Sequence, residues 1–389
     1  MQLIGKFFYR LKDDSKYVDF TIIITYIILS LIGLVMIYSA SMVMSMHENN
    51  NPKLIYLSQL RYVIIGFAFV FAMTFFMPGS IIKDKRLHVF LITTIFLILI
   101  LTHFFGVEVN GRRRWIDIPL AGRIQPSEFF KIALILYMAY IYNRKRKSLS
   151  AIKISNFSPL IMVSVISVLV LFNDFGTWVV IISIIIGIVM YSGFPLKIMF
   201  KVFGAAILIV SLLAGVRYLL TGKILSGYQL ARLETFMHPF ENSEGTSYQL
   251  TNSLISISHG GITGTGVGNG VMKLGYLPEP HTDFIFAVIA EELGLIGVVI
   301  ILLLFMILVF KSLHYAYKST DQFYGLLCIG VGIYISVQVF LNLGGISGLI
   351  PLTGIPLPFL SQGGSSFISI SIAVGLLSVA AKRINKNQS

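Results

Sequence analysis

Asp283 is the residue of this sequence best placed to do acid–base chemistry. It closes the run Leu-Pro-Glu-Pro-His-Thr-Asp at positions 277–283, where a long polar segment gives way to Phe284, Ile285 and Phe286. A carboxylate at such a boundary is partly desolvated, which raises its pKa toward the range of a general base. The same position also suits an N-cap, in which the carboxylate accepts backbone N–H bonds and complements the helix dipole. Glu279 and His281 stand beside it as loop residues, either able to bind a substrate hydroxyl. Two turns further on, Glu291 and Glu292 lie within an apolar stretch, at a depth where an ionised side chain costs roughly 2.5–3.5 kcal/mol. They either line a polar cavity or close an interhelical ion pair or hydrogen bond.

A second group lies upstream. Arg112, Arg113, Arg114 and Trp115 set guanidinium forks beside an indole; arginine grips phosphate bidentately, and tryptophan favours a headgroup zone or stacks on a sugar ring. A pyrophosphate lipid suits both, and so does an interfacial anchor touching lipid phosphates in general. Glu128 and Lys131 share a helix face at i, i+3 and can pair. The glycine-rich run 264–270 lacks the preceding strand of a nucleotide loop and reads as a flexible turn. Asp13 and Asp14 offer no metal-ligand spacing, so no metal site and no tightly bound cofactor is expected.

The elements that position these residues are membrane helices. Hydrophobic residues make up 56% of the 389 positions and charged residues 12%, with a mean hydropathy of +0.84, which excludes an ordinary soluble domain. The net charge of +13 comes from clusters between apolar spans, such as residues 144–147, so it marks topology rather than nucleic-acid binding. Cys328 alone supports neither an intramolecular disulfide nor a cysteine metal site. No cleavage site follows the N-terminal basic residues, so the first helix is expected to remain as an anchor.

Charge-free stretches at 20–46, 62–82, 88–107, 154–173, 175–196 and 293–310 are each long enough to cross about 30 Å of hydrocarbon. Shorter spans are expected at 126–142 and 202–220, and residues 322–381 divide into two helices around Gly344, Gly345, Pro351, Gly354, Pro356 and Pro358. The fold class is therefore an all-α integral membrane protein of about ten helices, a single polytopic domain over residues 1–389. Placing both termini on one side puts 19 Lys and Arg there and 11 opposite, so the termini are cytoplasmic. Two long segments then lie outside, 107–128 and the extracytoplasmic loop 221–282; both carry aromatics, glycines and short apolar runs, which predicts that they fold over the bundle.

Several motifs resemble one family, the SEDS proteins of shape, elongation, division and sporulation, represented by RodA and FtsW. They are residues 110–116 (Asn-Gly-Arg-Arg-Arg-Trp-Ile), 125–128 (Gln-Pro-Ser-Glu), 173–177 (Asn-Asp-Phe-Gly-Thr), 276–286 around Asp283, and 358–366 (Pro-Phe-Leu-Ser-Gln-Gly-Gly-Ser-Ser). Arg112 and Gln362 depart from the family pattern. Residues 252–261 and 268–276 resemble the division branch, FtsW, whereas 354–358 lean toward the elongation branch, RodA; the division branch is favoured.

The resemblance implies a peptidoglycan glycosyltransferase that polymerises lipid II outside the cytoplasmic membrane, beside a class B penicillin-binding protein and other division or elongation proteins. It implies that Asp283 is the catalytic carboxylate. Arg113, Arg114, Trp115, Glu128, Lys131, Arg232, His281, Glu292 and Ser361 are expected to bind substrate. No nucleotide is required, though a loosely bound divalent cation is compatible with a pyrophosphate leaving group. The competing readings are a lipid II flippase, with Glu292, Glu128 and Lys131 lining its path, and a non-catalytic scaffold for the transpeptidase. The septum is the expected location.

Overall fold

The computed structural model describes residues 15–109, 112–118, 122–145, 154–195, 227–240 and 245–388, with isolated positions between 204 and 222. The helix expected at 202–220 lies outside the described residues apart from those isolated positions, as do Asp13, Asp14, Asn110, Gly111, Arg146 and Lys147.

Helix α1, Phe20–Asn49, begins where the Asp19 carboxylate accepts the Thr21 N–H at 2.9 Å. Helix α2, Leu54–Phe76, stops short of the expected residue 82. Pro78 is the reason: the residue before a proline is pushed out of the helical region, and Met77 is extended. After a single helical turn at Gly79–Ile82, Asp84 caps α3, Lys85–Phe105.

The segment 107–128 contains strands that the all-α expectation did not include. It forms a three-stranded antiparallel sheet of β1, Val107–Val109, β2, Arg112–Ile118, and β3, Gly122–Ile124, in the order β1-β2-β3. Helix α4, Pro126–Lys145, follows directly, then α5, Ile154–Asn173, and α6, Phe175–Tyr191, capped by Asp174 through the Thr177 N–H at 3.1 Å.

Within residues 221–282 lie α7, Gly227–Met237, α8, Gly245–Gly260, and a 3-10 turn at Met272–Leu274. Helices α9, Ile285–Lys318, α10, Gln322–Ile346, and α11, Gly364–Lys386, complete the chain. Helix α9 is interrupted at Gly294, whose φ of 63° and ψ of −169° lie outside the helical region. The groups freed by the break pair with the loop after α8: Thr265 and Gly266 donate to the carbonyls of Glu291 and Glu292, and Leu295 and Ile296 donate to those of Gly261 and Ile262, all at 3.0–3.2 Å. A side chain at Gly294 would meet the Gly264 nitrogen at 2.2 Å, so only glycine admits this approach.

Among the described residues, α1, α2, α3, α9, α10 and α11 are long and apolar enough to cross a membrane. They differ in surroundings. The most apolar windows of α10 and α11 are 67% and 83% buried, against 22% for α3 and α9, which expose Phe90, Leu97, Leu303 and Phe310. An inner group of α4, α10 and α11 is thus wrapped by helices that turn apolar side chains outward, the pattern expected where the solvent is hydrocarbon.

The segment between α10 and α11 has little regular structure, and buried amides of α10 satisfy its backbone. Gln338 Nε2 donates to the Pro356 carbonyl and Asn342 Nδ2 to that of Ile355, at 2.9 and 2.8 Å. Irregular backbone at this depth requires such partners.

Candidate active site

The polar end of the inner group opens into a cavity of about 260 Å³. Its walls come from β2 (Arg112, Arg114, Trp115), the start of α4 (Gln125, Glu128), the start of α6 (Asp174, Thr177), α7 (Arg232), the approach to α9 (Glu279, Asp283) and the 354–366 segment. Elements distant in sequence therefore converge on one space.

Asp283 sits in this cavity rather than at a helix cap. The N-cap of α9 is Phe284, with no side-chain cap bond, and the Asp283 carboxylate accepts no hydrogen bond among the described residues. Its backbone is fixed, because Asn342 Nδ2 donates to the Asp283 carbonyl at 2.8 Å while also holding Ile355. Burial pushes its carboxyl up to about 6, with the Arg232 cation opposing and the Glu279 and Asp174 carboxylates adding to the rise. A half-buried carboxylate titrating there is ionised at neutral pH yet basic enough to take a proton.

Arg232 reaches the same point from α7. Its Nη1 donates to the Leu352 carbonyl at 2.5 Å. Arg232 and Asp283 both crowd Gly354, whose φ is +72°: a Cβ there would stand 3.0 Å from Arg232 Nη2 and 3.3 Å from Asp283 Oδ2. Burial lowers the Arg232 guanidinium to about 10; Asp283 opposes this, and the cations of Arg112 and Arg114 add to it.

The arginines of β2 divide by strand alternation. Arg112 and Arg114 face the cavity, and both donate to the Asn173 carbonyl, Arg112 Nη1 at 3.3 Å and Arg114 Nε at 2.7 Å. Arg114 Nη1 also meets Asp174 Oδ2 at 3.3 Å. Arg113 points elsewhere. It donates to the Phe104 carbonyl at 3.0 Å and lies 3.5 Å from Glu108, and its side chain is about half exposed.

Beneath the cavity, Lys131 Nζ donates to Glu128 Oε1 at 2.8 Å and to Gln338 Oε1 at 3.2 Å, and lies over the Tyr334 ring. Tyr334 and Ser369 donate to the other Glu128 oxygen. Glu128 lines the cavity floor, whereas Lys131 is fully enclosed.

Three further residues expected at the site stand outside the cavity lining. Burial lowers His281 to about 4, so its ring is neutral, and its carbonyl accepts the Gln362 N–H. Ser361 Oγ accepts the Leu357 N–H at 2.7 Å and so closes a turn. Glu292 belongs to a separate buried cluster, where it accepts from Ser39 Oγ, from Lys273 Nζ at 2.5 Å and from the Gly268 N–H at 2.9 Å.

Its neighbour Glu291 accepts from Val271 N, Ser256 Oγ and His259 Nδ1. The glycine-rich run read as a flexible turn is therefore pinned to Glu292 through the Gly268 N–H, and Val271 just beyond it donates to Glu291. Conversely, Gln125, Asp174 and Asn342 were not singled out for chemistry in the sequence, and Arg112 was read with its neighbours but not among the expected substrate-binding residues. Asp174 was visible within the 173–177 motif and as a helix-capping residue type, and Gln125 within the 125–128 motif; Asn342 carries no comparable signal.

Two more cavities flank the first. One, of about 440 Å³, is almost wholly apolar and shares Arg112 and Arg232 with it. The other, of about 450 Å³ on the α2, α4 and α11 side, contains Arg61, Tyr62 and Arg123 and shares Ser365. Among the described residues no group of three or more His, Cys, Asp or Glu is arranged to hold a metal ion.

Comparison with known proteins places this architecture. The model of the FTSW_RODA_SPOVE cell cycle protein family matches residues 19–386. A probable peptidoglycan glycosyltransferase FtsW of Bacillus subtilis is 36% identical, over 94% of this chain and 91% of its own. Stage V sporulation protein E of the same organism is 35% identical, over 92% of this chain and 95% of its own. Among solved structures, a chain of a peptidoglycan synthase complex that coordinates polymerization and crosslinking superposes with a TM-score of 0.72, at 24% identity over 94% of this chain and 98% of that one. The rod shape determining protein RodA of Thermus thermophilus gives 0.63, at 23% identity over 94% and 97%.

Proposed function

The chain belongs to the FTSW_RODA_SPOVE family, a membrane protein family, and from that premise we propose that it is a peptidoglycan glycosyltransferase polymerising lipid II on the outer face of the cytoplasmic membrane. The acceptor's sugar 4-hydroxyl attacks the donor's anomeric carbon, forming the new C–O bond with inversion as the bond to undecaprenyl diphosphate breaks. Asp283 takes the hydroxyl proton as general base. The departing diphosphate carries the bonding pair, and the guanidiniums of Arg114, Arg232 and Arg112 stabilise the charge that develops on it. Arg114 owes its aim to Asp174 and the Asn173 carbonyl.

One observation carries this reading: a carboxylate in the polar cavity that neither caps a helix nor accepts a hydrogen bond among the described residues. Trp115 and Gln125 offer a stacking face and an amide to the sugars, and flanking cavities on two sides suit a reaction of two lipid-linked substrates. The topology that goes with it is a single ten-span domain with cytoplasmic termini and residues 221–282 outside. Its partner would be a class B penicillin-binding protein, and the division relatives favour the septum. A flippase reading draws less support, since Glu292, one of its three polar lining residues, lies in a separate cluster with Ser39 and Lys273.

The test is polymerisation of lipid II by the purified protein with its penicillin-binding partner, wild type against Asp283→Asn, with and without a chelator. Glycan strands from wild type alone are expected. Polymer from the variant at the wild-type rate removes the base, and lipid movement without polymer favours transport. Loss of activity on chelation would add a divalent cation at the diphosphate.

A further inference from the structure

The apolar flanking groove has an asymmetric lining. Among the described residues, Arg112 and Arg232 are its only charged members, and both stand on the boundary with the Asp283 cavity. The remaining wall is Phe175, Val179, Leu341, Ile350 and their neighbours, with Phe175 and Leu233 exposed. A cationic end joined to an apolar body is the complement of an amphiphile with an anionic head. We propose that this groove seats the polyprenyl chain of one diphosphate-linked substrate, with Arg112 and Arg232 gripping the diphosphate where groove and cavity meet.

This inference rests on the glycosyltransferase reading and adds the place of one lipid tail. Each guanidinium is oriented by a backbone carbonyl, Asn173 for Arg112 and Leu352 for Arg232. Their charges act unfavourably on each other in a half-buried setting, a cost that a polyanion between them reverses. Two guanidiniums match two phosphates. Beyond them the space continues to Asp283, which a sugar attached to the diphosphate would reach and the single phosphodiester of a membrane phospholipid would leave unfilled. Arg112, the arginine that departs from the family motif, gains a role here.

The experiment compares kcat/KM on lipid II carrying its full undecaprenyl chain with that on a farnesyl-chain analogue. It uses the protein with its partner, as wild type, Leu233→Glu and Val179→Trp. The groove variants should lose about tenfold on the long chain and stay within about twofold on the short one. An equal fall on both substrates, or no change on either, overturns the proposal. Because a filled groove can impair folding, a second measurement uses the inactive Asp283→Asn protein with a photoreactive isoprenoid diphosphate. Labelling of the 350–353 segment, competed by farnesyl diphosphate, is expected; labelling abolished equally by phosphatidylglycerol vesicles would assign the groove to bulk phospholipid and overturn it. Polymer made by Asp283→Asn defeats the catalytic reading instead, and the labelling result then stands apart from it.

Discussion

Asp283 and Glu292 lie nine residues apart across the start of one helix, and both are carboxylates at the edge of an apolar span, yet their surroundings are opposite. Glu292 is saturated: a lysine, a serine and a backbone N–H fill its oxygens. Asp283 is left without a donor among the described residues and opens into a cavity with arginines nearby. The first arrangement holds a loop to a helix, and the second keeps a proton acceptor available. Apolar neighbours mark both residues in the sequence, so it is the supply of hydrogen-bond donors that separates a fastener from the proposed base.

The sharpest way to break this contrast is to neutralise each side. Asp283→Asn should lower the polymerisation rate by about 10²–10⁴ while leaving the melting temperature within error, as expected for the loss of general-base catalysis. Lys273→Met should do the reverse. It strands the Glu292 carboxylate and should cost about 3–5 kcal/mol in unfolding free energy, with the rate per folded molecule retained. Adding Glu292→Gln to Lys273→Met should recover part of that loss, since no buried charge then lacks a partner. If Lys273→Met abolished turnover without destabilising the protein, the two clusters would not be functionally distinct.

Two smaller effects refine the description of the base. With its pKa raised to about 6, Asp283 loses its ionised form as pH falls through that value, so kcat/KM should drop about tenfold between pH 7 and pH 5. Arg232 holds that value down, and Arg232→Gln should therefore move the acid limb to higher pH. Gly354→Ala should cost on the order of 1 kcal/mol of stability for its left-handed backbone. It should also raise KM by displacing the Arg232 guanidinium, read in steady-state kinetics.

Much of the helical frame was legible because charge-free length is a direct statement about hydrocarbon, but the ends set locally by Asp19, Asp84 and Pro78 were not read, and the span expected to reach residue 82 stops at Phe76. The sheet was not read, although Asn110-Gly111 between Val107–Val109 and an alternating run is a hairpin signal. Reading it would have placed Arg112 and Arg114 on one face and Arg113 on the other. The i, i+3 pairing of Glu128 with Lys131 was local and could be read. Glu292 could not be resolved because its partner Ser39 is 253 residues away, and no local pattern announces that contact. Likewise Asn342, which ties the Asp283 carbonyl to Ile355, has the composition of an unremarked amide in an apolar helix.

The interruption at Gly294 has a mechanical outcome. The short piece above it, which begins beside Asp283, and the first residues below it, Leu295 and Ile296, are both stitched by backbone hydrogen bonds to residues 261–266; beyond them a long shaft runs with its apolar side exposed to a far end moored by Lys311 and Tyr315 to Asp19. Two segments that meet at a non-helical residue need not share one axis. The loop that spans the junction splints the two pieces together, so a load on the shaft meets these backbone hydrogen bonds before it meets the carboxylate.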